Sequence, residues 1–361
     1  MERKALIAMS GGVDSSVAAL LVRRAGYEAM GVTLRLYDNE DAGLSREKTC
    51  CSLDDVNDAR AVCARLQIPF YVFNFKESFR REVMDRFTEA YERGETPNPC
   101  IDCNRYIKFE KLMSRAKEIG CDTVATGHYA RVARDESAGR WLLKKGLDVS
   151  KDQSYVLYSL TQEQLSRLLL PLGELTKEQV RQLAEENGFV NAKKRDSQDI
   201  CFVPDGDYAA FIERHTGKSF APGSFVGAEG QVYGQHRGII HYTIGQRKGL
   251  GLSFPQPMYV CEIDPAANEV LLGEHERLFS TELIAEEINL ISHAEISEPM
   301  KVKAKVRYRQ AEQPATVVQT GPDQLKITFD QPQRAVTKGQ AVVLYDGDTV
   351  VGSGWIESAL S

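Results

Sequence analysis

The chain has 361 residues, of which 42% are apolar and 27% charged, and its net charge is −6 at pH 7. This length is sufficient for two or three domains with their own cores. No apolar run approaches the roughly 20 residues that a membrane span needs, and the first residues lead into a predicted strand without the apolar segment of a secretory signal. We therefore expect a cytoplasmic protein without a membrane partner. The negative net charge argues against nonspecific polyanion binding but leaves room for local basic patches.

Eight cysteines are spread along the chain. A secreted disulfide scaffold is typically shorter and denser in cysteine, so we expect reduced thiols. Five of them are assigned no chemical role. Cys50 and Cys51 are adjacent, and adjacent cysteines form a disulfide only with strain. Cys63, Cys121 and Cys261 lie in apolar-periodic surroundings, which are typical of core residues. The other three, Cys100, Cys103 and Cys201, stand in polar surroundings.

Strand and helix patterns alternate over roughly the first 130 residues. The predicted strands are Lys4–Met9, Glu28–Leu36, Phe70–Phe75 and Asp122–Thr126. The predicted helices between and beside them are Ser15–Ala25, Asp54–Leu66, Glu77–Arg93 and Tyr106–Ile119. Repeated βαβ units indicate a parallel sheet that binds ligands at the carboxyl ends of its strands. The stretch from Trp141 to Gly188 is predicted to be helical, with helices over Gln162–Leu169 and Lys177–Glu186.

The composition of the sequence changes after about Cys201, where glycine and proline become frequent. Short predicted strands follow at Gly230–Tyr233, Met258–Ile263, Glu269–Leu272, Lys301–Tyr308, Ala315–Gln319, Leu325–Phe329, Ala341–Tyr345 and Thr349–Ile356. Regularly spaced short strands favour a small β-barrel or sandwich at the carboxyl-terminal end.

The segment Ser10–Ser15, with the sequence Ser-Gly-Gly-Val-Asp-Ser, joins the first predicted strand to the first helix. Its glycines let the backbone approach an anion, and the helix N-terminus directs N–H groups toward it. Asp14 is a candidate ligand for Mg²⁺. The segment lacks the lysine of a kinase-type P-loop, so attack at the α-phosphate of ATP is a better hypothesis than γ-phosphoryl transfer. It resembles the PP-loop of the ATP pyrophosphatases, which adenylate a substrate oxygen. A plain glycine-rich turn is the alternative.

Cys100 and Cys103 form a Cys-x-x-Cys pair directly after Thr96-Pro-Asn-Pro99. The prolines favour an exposed, extended loop ahead of the helix near Tyr106. Exposure and a nearby positive helix end would lower the thiol pKa and favour the thiolate. Together with Cys201 the pair suggests either thiol–persulfide–disulfide chemistry or three ligands to an iron–sulfur cluster. Incidental loop cysteines and a zinc site are the alternatives, although no second ligand pair accompanies a zinc site.

Basic residues recur with period two near the carboxyl-terminal end. They are Lys301, Lys303, Lys305, Arg307 and Arg309. A strand places all five on one face, and like charges opposing no acid favour a phosphate backbone as the partner over a solvated face. Gly245–Gly251 and Lys193–Arg195 are two further basic stretches. His128 follows a predicted strand at its carboxyl end, where a parallel sheet binds ligands. It is therefore either a ligand-contacting residue or a histidine that is simply packed in the core.

Eight motifs together resemble the tRNA-specific 2-thiouridylases along essentially the whole chain. They are Ser10–Ser15, Thr96–Pro99, Cys103-Asn104, Ala125–Tyr129, Lys151–Tyr155, Asp196–Phe202, Gly245–Gly251 and Arg307–Gln310. The resemblance implies an α/β fold: a doubly wound parallel-sheet PP-loop domain of the adenine nucleotide alpha-hydrolase type, a small β-rich central domain and a C-terminal β-barrel that binds tRNA. We place these domains at residues 1–204, 205–279 and 280–361.

The resemblance also assigns roles to individual residues. ATP would be bound by Ala8, Met9, Ser10, Gly11, Gly12, Val13, Asp14, Ser15, Leu34 and Gly127. The tRNA would be contacted by Asn98, Pro99, Cys100, His128, Lys151, Asp152, Gln153, Arg307, Tyr308 and Gln340. Cys103 would be the nucleophile and Cys201 the carrier of a persulfide. ATP with Mg²⁺ would adenylate the C2 oxygen of uridine 34, and sulfur from a cysteine desulfurase or a relay protein would replace it.

Cys100 departs from the family pattern, because many members have aspartate there. Cys100, Cys103 and Cys201 thus have the count for a [4Fe–4S] cluster with one open iron, which is an alternative route for sulfide delivery. Another PP-loop adenylating enzyme and a non-catalytic RNA-binding protein are the competing functions. A synthetase of the amidotransferase type would need a glutaminase segment, which the sequence lacks. We expect the protein to be a monomer.

Overall fold

The structure is a computed structural model that describes residues 3–38, 53–194 and 200–360. The chain divides into two compact units. The first consists of residues 1–83, 100–204 and 348–350, and the second of residues 84–99, 205–347 and 351–361. Cys50, Cys51, Arg195 of the third basic stretch and residues 196–199 of the Asp196–Phe202 motif lie outside the described residues. Within the described ranges, no helix is long and apolar enough to cross a membrane.

A five-stranded parallel sheet forms the centre of the first unit. Its strands are β1 (Lys4–Ala8), β2 (Glu28–Arg35), β3 (Phe70–Asn74), β4 (Thr123–Ala125) and β7 (Leu168–Leu169), in the order β3-β2-β1-β4-β7. Ala5, Leu6 and Ile7 on the central strand are fully buried, as expected of a strand that is covered on both faces. The predicted parallel sheet is confirmed.

Helices follow the strands in the expected alternation. They are α1 (Val13–Arg24), α2 (Leu53–Leu66), α3 (Lys76–Phe79), α4 (Arg86–Glu92), α5 (Pro99–Asp102), α6 (Leu112–Glu118), α7 (Gln162–Ser166) and α8 (Lys177–Glu186). Two π-helical segments, Arg80–Asp85 and Cys103–Lys111, continue α3 into α4 and α5 into α6. Thr161 and Thr176 cap α7 and α8 through complete capping boxes. Residues from α1, α8 and the sheet share one core.

Two local predictions in the first unit are wrong. The stretch that begins at Trp141 is not helical at first, because β5 (Ala130–Asp135) and β6 (Arg140–Lys145) form an antiparallel hairpin. The Asp135 carboxylate accepts hydrogen bonds from the backbone of Ser137 and Ala138 at 2.9 and 3.1 Å, which fixes the turn. The helix predicted over Gln162–Leu169 ends at Ser166, and its last residues belong to β7.

The second unit is rich in β-structure. After α9 (Tyr208–Thr216), β8 (Gly223–Val226), β9 (Val232–His236), β10 (Tyr259–Asp264) and β11 (Glu269–Gly273) form a sheet in the order β10-β11-β8-β9. The strands β12 (Phe279–Leu290), β13 (Met300–Lys305), β14 (Gln313–Gly321), β15 (Gln324–Arg334), β16 (Ala341–Asp346) and β17 (Thr349–Leu360) follow. Pairing of β12 with β17 closes these six strands into a barrel around a single apolar core. The predicted carboxyl-terminal barrel is confirmed.

The order of the sheet in the first unit locates its binding edge. The chain runs from β1 to β2 on one side, and β4 pairs with β1 on the other. The loops that follow β1 and β4 therefore diverge from neighbouring strands at a topological switch point, which is where ligands bind in open α/β sheets. The first loop contains Ser10–Gly12 and leads directly into α1, and the second contains Gly127 and His128.

Candidate active site

The loop after β1 is preorganised by its own serines. The Ser15 hydroxyl donates to the Gly12 carbonyl oxygen at 3.0 Å and accepts from the backbone N–H of Ser10 at 3.2 Å. The Ser16 hydroxyl donates to the same Gly12 oxygen at 3.0 Å. Ser10 is exposed whereas Ser15 and Ser16 are buried. The buried serines thus shape the turn, and the N-terminus of α1 remains available to an anion.

Glycine is required at position 11 for two reasons. The φ angle of Gly11 is +75°, and a Cβ atom there would lie 2.4 Å from the carbonyl oxygen of Asp55. The Gly11 carbonyl accepts a hydrogen bond from the Asn191 side chain at 2.8 Å and one from Lys194 at 3.4 Å. These two hydrogen bonds fix the orientation of the peptide that follows Gly11. An anion-binding loop needs such fixed peptides, because its N–H groups must point at the anion.

Asp14 already has partners on both carboxylate oxygens. Lys177 Nζ lies 2.7 Å from Oδ1 and 2.8 Å from Oδ2. The Tyr129 hydroxyl also donates to Oδ1, at 2.8 Å. A metal ion bound at Asp14 would have to displace Lys177, so the carboxylate fits the predicted Mg²⁺ ligand only with that rearrangement.

The other predicted ATP residues lie around the same loop. A Cβ atom on Gly127 would come within 2.8 Å of the Asp14 carbonyl carbon and the Ser15 nitrogen, so the β4 loop contacts the start of α1 directly. Met9 is buried and its carbonyl accepts from Thr33 at 2.8 Å, next to the half-buried Leu34. Ala8 ends β1, and Val13 is buried as the first residue of α1.

His128 is buried, with 8% of its surface exposed. Its Nδ1 lies 2.7 Å from the Thr126 hydroxyl, and its ring is 6.0 Å from that of Phe109. Burial, and secondarily the charge of Lys108, hold the pKa of His128 well below its usual value. At neutral pH this histidine is therefore uncharged. Its predicted contact with tRNA stays a prediction.

The Cys-x-x-Cys pair lies on a helix and not on a loop, contrary to the prediction. Pro99 is the first residue of α5, and Cys103 begins the π-helical segment. Cys100 is exposed and Cys103 is half-buried. Burial raises the pKa of the Cys103 thiol to about 11, with Lys108 lowering it and Cys100 and Asp102 raising it further. The predicted thiolate at Cys103 is thus wrong for this state of the protein.

Cys201 follows the second gap in the described residues and is half-buried. Its carbonyl oxygen accepts a hydrogen bond from the Tyr37 hydroxyl at 2.6 Å. The next residue, Phe202, packs edge-on against Phe79 with ring centroids 5.8 Å apart. Phe79 belongs to α3, which also packs against the segment that begins at Cys103. The two predicted catalytic cysteines are therefore attached to elements that meet at α3.

All six cysteines in the described ranges are free thiols. No group of three or more His, Cys, Asp or Glu side chains in those ranges is arranged to hold a metal ion. Cys100, Cys103 and Cys201 therefore do not form a three-ligand metal centre in this structure, and the donor set does not fit the cluster alternative as it stands.

The segment Lys151–Gln153 is engaged in local structure. The Asp152 carboxylate accepts from the backbone of Gly146 and Ser154 at 3.0 and 3.1 Å. The Gln153 side chain accepts from the Tyr129 backbone at 2.9 Å. These contacts fix the turn that leads out of the β5–β6 hairpin. A role in binding tRNA stays a prediction for this segment.

The basic strand of the second unit is shorter than predicted. It ends at Lys305, so Arg307 and Arg309 lie beyond it. Lys301 forms an ion pair with Asp330 at 3.4 Å, so the expectation that no acid faces these charges is wrong. Arg307 is half-buried, and its guanidinium donates to the Ile244 carbonyl at 3.2 Å and to the Thr337 hydroxyl at 2.7 Å.

Two arginines hold the base of the basic loop Gly245–Gly251. Arg307 holds the carbonyl of Ile244, and Arg334 holds that of Gly245 at 3.1 Å. Arg247 and Lys248 in the same loop are exposed. The second unit thus presents these two cations on a loop, between β9 and β10, whose base is held by the two arginines.

Gln340 is buried, and its side-chain amide donates to the carbonyl oxygen of Thr96. The Thr96 backbone N–H donates in turn to the Lys338 carbonyl at 3.3 Å. Both contacts lie within the second unit. They anchor the segment that carries the half-buried Asn98 and the buried Pro99, so Gln340 has a positioning role in this structure.

Three residues at the site were not predicted from the sequence to act there: Lys108, Lys177 and Asn191. Lys194 was predicted only as part of the basic stretch Lys193–Arg195, without a role at the loop. Lys194 pairs with Asp58 at 2.7 Å and also with Asp55, which anchors the segment that holds Gly11. These residues carry no motif of their own, because they come from segments that are distant in sequence. Only the capping-box threonine before Lys177 gave a signal, and it indicated a helix start.

Three family models match successive parts of the chain, which together span most of its length. Residues 3–205 match the family described as tRNA methyl transferase HUP domain. Residues 209–274 match the tRNA methyl transferase PRC-barrel domain, and residues 280–356 match the aminomethyltransferase beta-barrel domain.

Curated relatives are similar over nearly their full length. A tRNA-specific 2-thiouridylase MnmA from Clostridioides difficile (strain 630) is 52% identical over 360 residues, which is 100% of this chain and 99% of the relative. Proteins of the same name from Carboxydothermus hydrogenoformans and Acetivibrio thermocellus are 53% and 50% identical, each over 99% of this chain and 98% and 99% of the relative.

Proposed function

Since the chain belongs to the tRNA-specific 2-thiouridylase family, we propose that it adenylates the C2 oxygen of uridine 34 in tRNA and replaces that oxygen with sulfur from a protein persulfide. The observation that carries this proposal is that two functional features belong to the same compact unit. One compact unit contains both the phosphate loop and the two cysteines, Cys103 and Cys201.

The first step forms an ester. The C2 oxygen of uracil attacks the α-phosphorus of ATP, the bond from that phosphorus to the bridging oxygen breaks, and pyrophosphate leaves. In our proposal the residues Ala8–Ser15, Leu34 and Gly127 bind the nucleotide. The fixed Gly11 peptide and the N-terminus of α1 support this assignment, because they direct N–H groups at the position of the phosphates. Mg²⁺ enters with ATP as part of the substrate.

The second step transfers sulfur. A cysteine desulfurase or relay protein leaves a persulfide on Cys201, and its terminal sulfur attacks C2 while AMP departs with the original oxygen. The Cys103 thiolate then attacks Cys201 Sγ, which releases the transferred sulfur to the base and leaves a Cys103–Cys201 disulfide. A dithiol reductant must reduce this disulfide before the next turnover. The attachment of both cysteines to elements around α3 supports this sequence.

The state of Cys103 sets a requirement on the second step. Its thiol has a pKa raised to about 11 by burial, so the proton must be removed before it can attack. Lys108 is the nearby group that favours the thiolate. We propose that cysteine attack occurs only after tRNA and ATP have changed the surroundings of Cys103. An iron–sulfur route has no support in the arrangement of the three cysteines.

We propose that the tRNA lies along the predicted contact residues and the braced loop of the second unit. Cys100 is exposed at the start of α5, beside Asn98 and Pro99, and these three residues would face the target base. Lys151, Tyr308 and the exposed Arg247 and Lys248 would contact the backbone, while Arg307 and Gln340 position neighbouring segments. We also expect a cytoplasmic monomer.

An isotope experiment tests the proposal. Unmodified tRNA that carries ¹⁸O at C2 of uridine 34 is incubated with the enzyme, ATP, a cysteine desulfurase, cysteine and a reductant. The AMP formed should gain one ¹⁸O atom for each sulfur incorporated, because the C2 oxygen leaves on phosphorus. AMP without the label, formed together with 2-thiouridine, would refute adenylation of that oxygen.

A further inference from the structure

A lysine from outside the phosphate loop lies at the carboxylate of that loop. Lys177 Nζ is 2.7 and 2.8 Å from the two oxygens of Asp14, the second residue of α1. The Lys177 side chain is only 12% exposed, and that of Asp14 is 32% exposed. The ammonium group is therefore largely desolvated while its partner still faces the opening of the site. The family roles given above do not include this lysine.

The backbone of Lys177 is firmly held. Thr176 and Gln179 form the capping box of α8, and the Lys177 N–H donates to Asp148 at 3.0 Å. The ring of Tyr129 lies 5.9 Å from Lys177 Nζ, and the hydroxyl of the same ring donates to Asp14. The base of the side chain is thus fixed at the start of α1. Only the end of the side chain has to move to reach a ligand there.

Charge balance gives this arrangement a function. The triphosphate of ATP carries several negative charges, and residues 9–15 contain an aspartate but no cation. Asp14 beside the phosphates would repel them if it stood alone. A desolvated ammonium at this position neutralises the carboxylate and strengthens any contact with phosphate oxygens, because charged hydrogen bonds gain in a low dielectric.

We propose that Lys177 is the cation of the phosphate site. It contacts the β- and γ-phosphate oxygens of bound ATP and stabilises pyrophosphate as the bond to the α-phosphorus breaks. Asp14 holds the ammonium in place before ATP binds. No proton is transferred in this step; the lysine balances the charge that develops on the leaving oxygen. This inference rests on the proposed function, in which pyrophosphate is the leaving group.

Binding of three ligands to the full-length protein tests the proposal by calorimetry. For Lys177→Gln we expect the affinities for MgATP and magnesium pyrophosphate to fall about 10- to 100-fold, the range for one charged hydrogen bond. The affinity for AMP, which lacks the β- and γ-phosphates, should change less than about threefold. Lys177→Arg should restore part of the lost affinity. Lys144→Gln is the matched control, because Lys144 forms a similar ion pair with Asp348 at 3.2 Å, away from the loop.

The competing explanation is that Lys177 only neutralises Asp14. In that case Asp14→Asn would restore the MgATP affinity of Lys177→Gln, and AMP would be weakened as much as MgATP. Either result would overturn the proposal. A wild-type protein that binds magnesium pyrophosphate through Lys177 but yields no ¹⁸O-labelled AMP from labelled tRNA would refute the proposed function and leave this inference intact.

Discussion

At the scale of single residues, Cys103 differs most from its sequence-based prediction. Two prolines before the pair indicated a loop, but Pro99 occupies the first position of α5, where its missing N–H has no helical partner to lose. The helix leaves Cys103 half-buried, and this burial raises the pKa of its thiol. Sequence could not distinguish a proline that prevents a helix from one that begins it.

Alkylation measures the Cys103 pKa directly. Since the thiolate reacts and the pKa is raised to about 11, the alkylation rate of Cys103 by iodoacetamide should be low at pH 7. It should rise roughly tenfold for each pH unit up to about pH 10. Peptide mass spectrometry, with the exposed Cys100 monitored in the same sample, gives the rates. A plateau in the Cys103 rate below pH 9 would contradict the raised pKa.

The proposed catalytic roles of Cys103 and Cys201 should be separable from tRNA binding. Cys103→Ser and Cys201→Ser should each reduce 2-thiouridine formation below detection, because serine can neither carry nor resolve a persulfide. Their affinity for tRNA should stay within about twofold of wild type. Cys261→Ser, which alters a half-buried cysteine of the second unit, is the control and should retain activity. Full activity in either catalytic variant would refute the assigned chemistry.

At the scale of elements, the phosphate loop was predictable as a strand–loop–helix unit, but its supports were not. The local sequence Ser10–Ser15 contains the glycines and the capping serines. Asn191 and Lys194, which hold the Gly11 carbonyl, come from about 180 residues away. Such long-range contacts leave no periodic signal in the sequence.

Gly11 and Gly26 both have a positive φ angle, but only Gly11 lies close to another segment. Alanine substitutions at the two positions therefore distinguish the cost of backbone strain from the cost of a steric clash. Gly11 has φ +75° and Gly26 has φ +81°, but a Cβ atom would clash with the Asp55 backbone only at Gly11. Gly26→Ala should lower the free energy of unfolding by about 1 kcal/mol and leave MgATP binding unchanged. Gly11→Ala should lower it further and abolish MgATP binding. Denaturant unfolding and calorimetry measure both; equal effects would show that the contact with Asp55 is unimportant.

The braced loop of the second unit should contribute to the salt dependence of tRNA binding. Replacing both Arg247 and Lys248 with glutamine should reduce the slope of log K against log salt concentration by about two units, if each contacts one phosphate. Lys326→Gln, at a lysine paired with Glu282 at 2.9 Å, is the control. An unchanged slope in the double variant would make this loop an ordinary solvated surface.

At the scale of the whole molecule, the alternation of strands and helices and the change to short strands predicted both the parallel sheet and the barrel. The β5–β6 hairpin was missed because Trp141–Lys145 has no period-two pattern, and its strand state depends on pairing with Ala130–Asp135. The phosphate loop and the cysteines were found by motif. The ion pair of Lys177 with Asp14 was not, since only the folded chain brings these residues together.

Formation of 2-thiouridine is the most direct test of the account. The purified enzyme is incubated with unmodified tRNA, ATP, a cysteine desulfurase with cysteine, and a reductant, and the digested tRNA is analysed by mass spectrometry. We predict one 2-thiouridine at position 34 per tRNA, with one AMP and one pyrophosphate released, and none when ATP is omitted. Sulfur incorporation without ATP, or ATP cleavage without any thiolated nucleoside, would contradict the account.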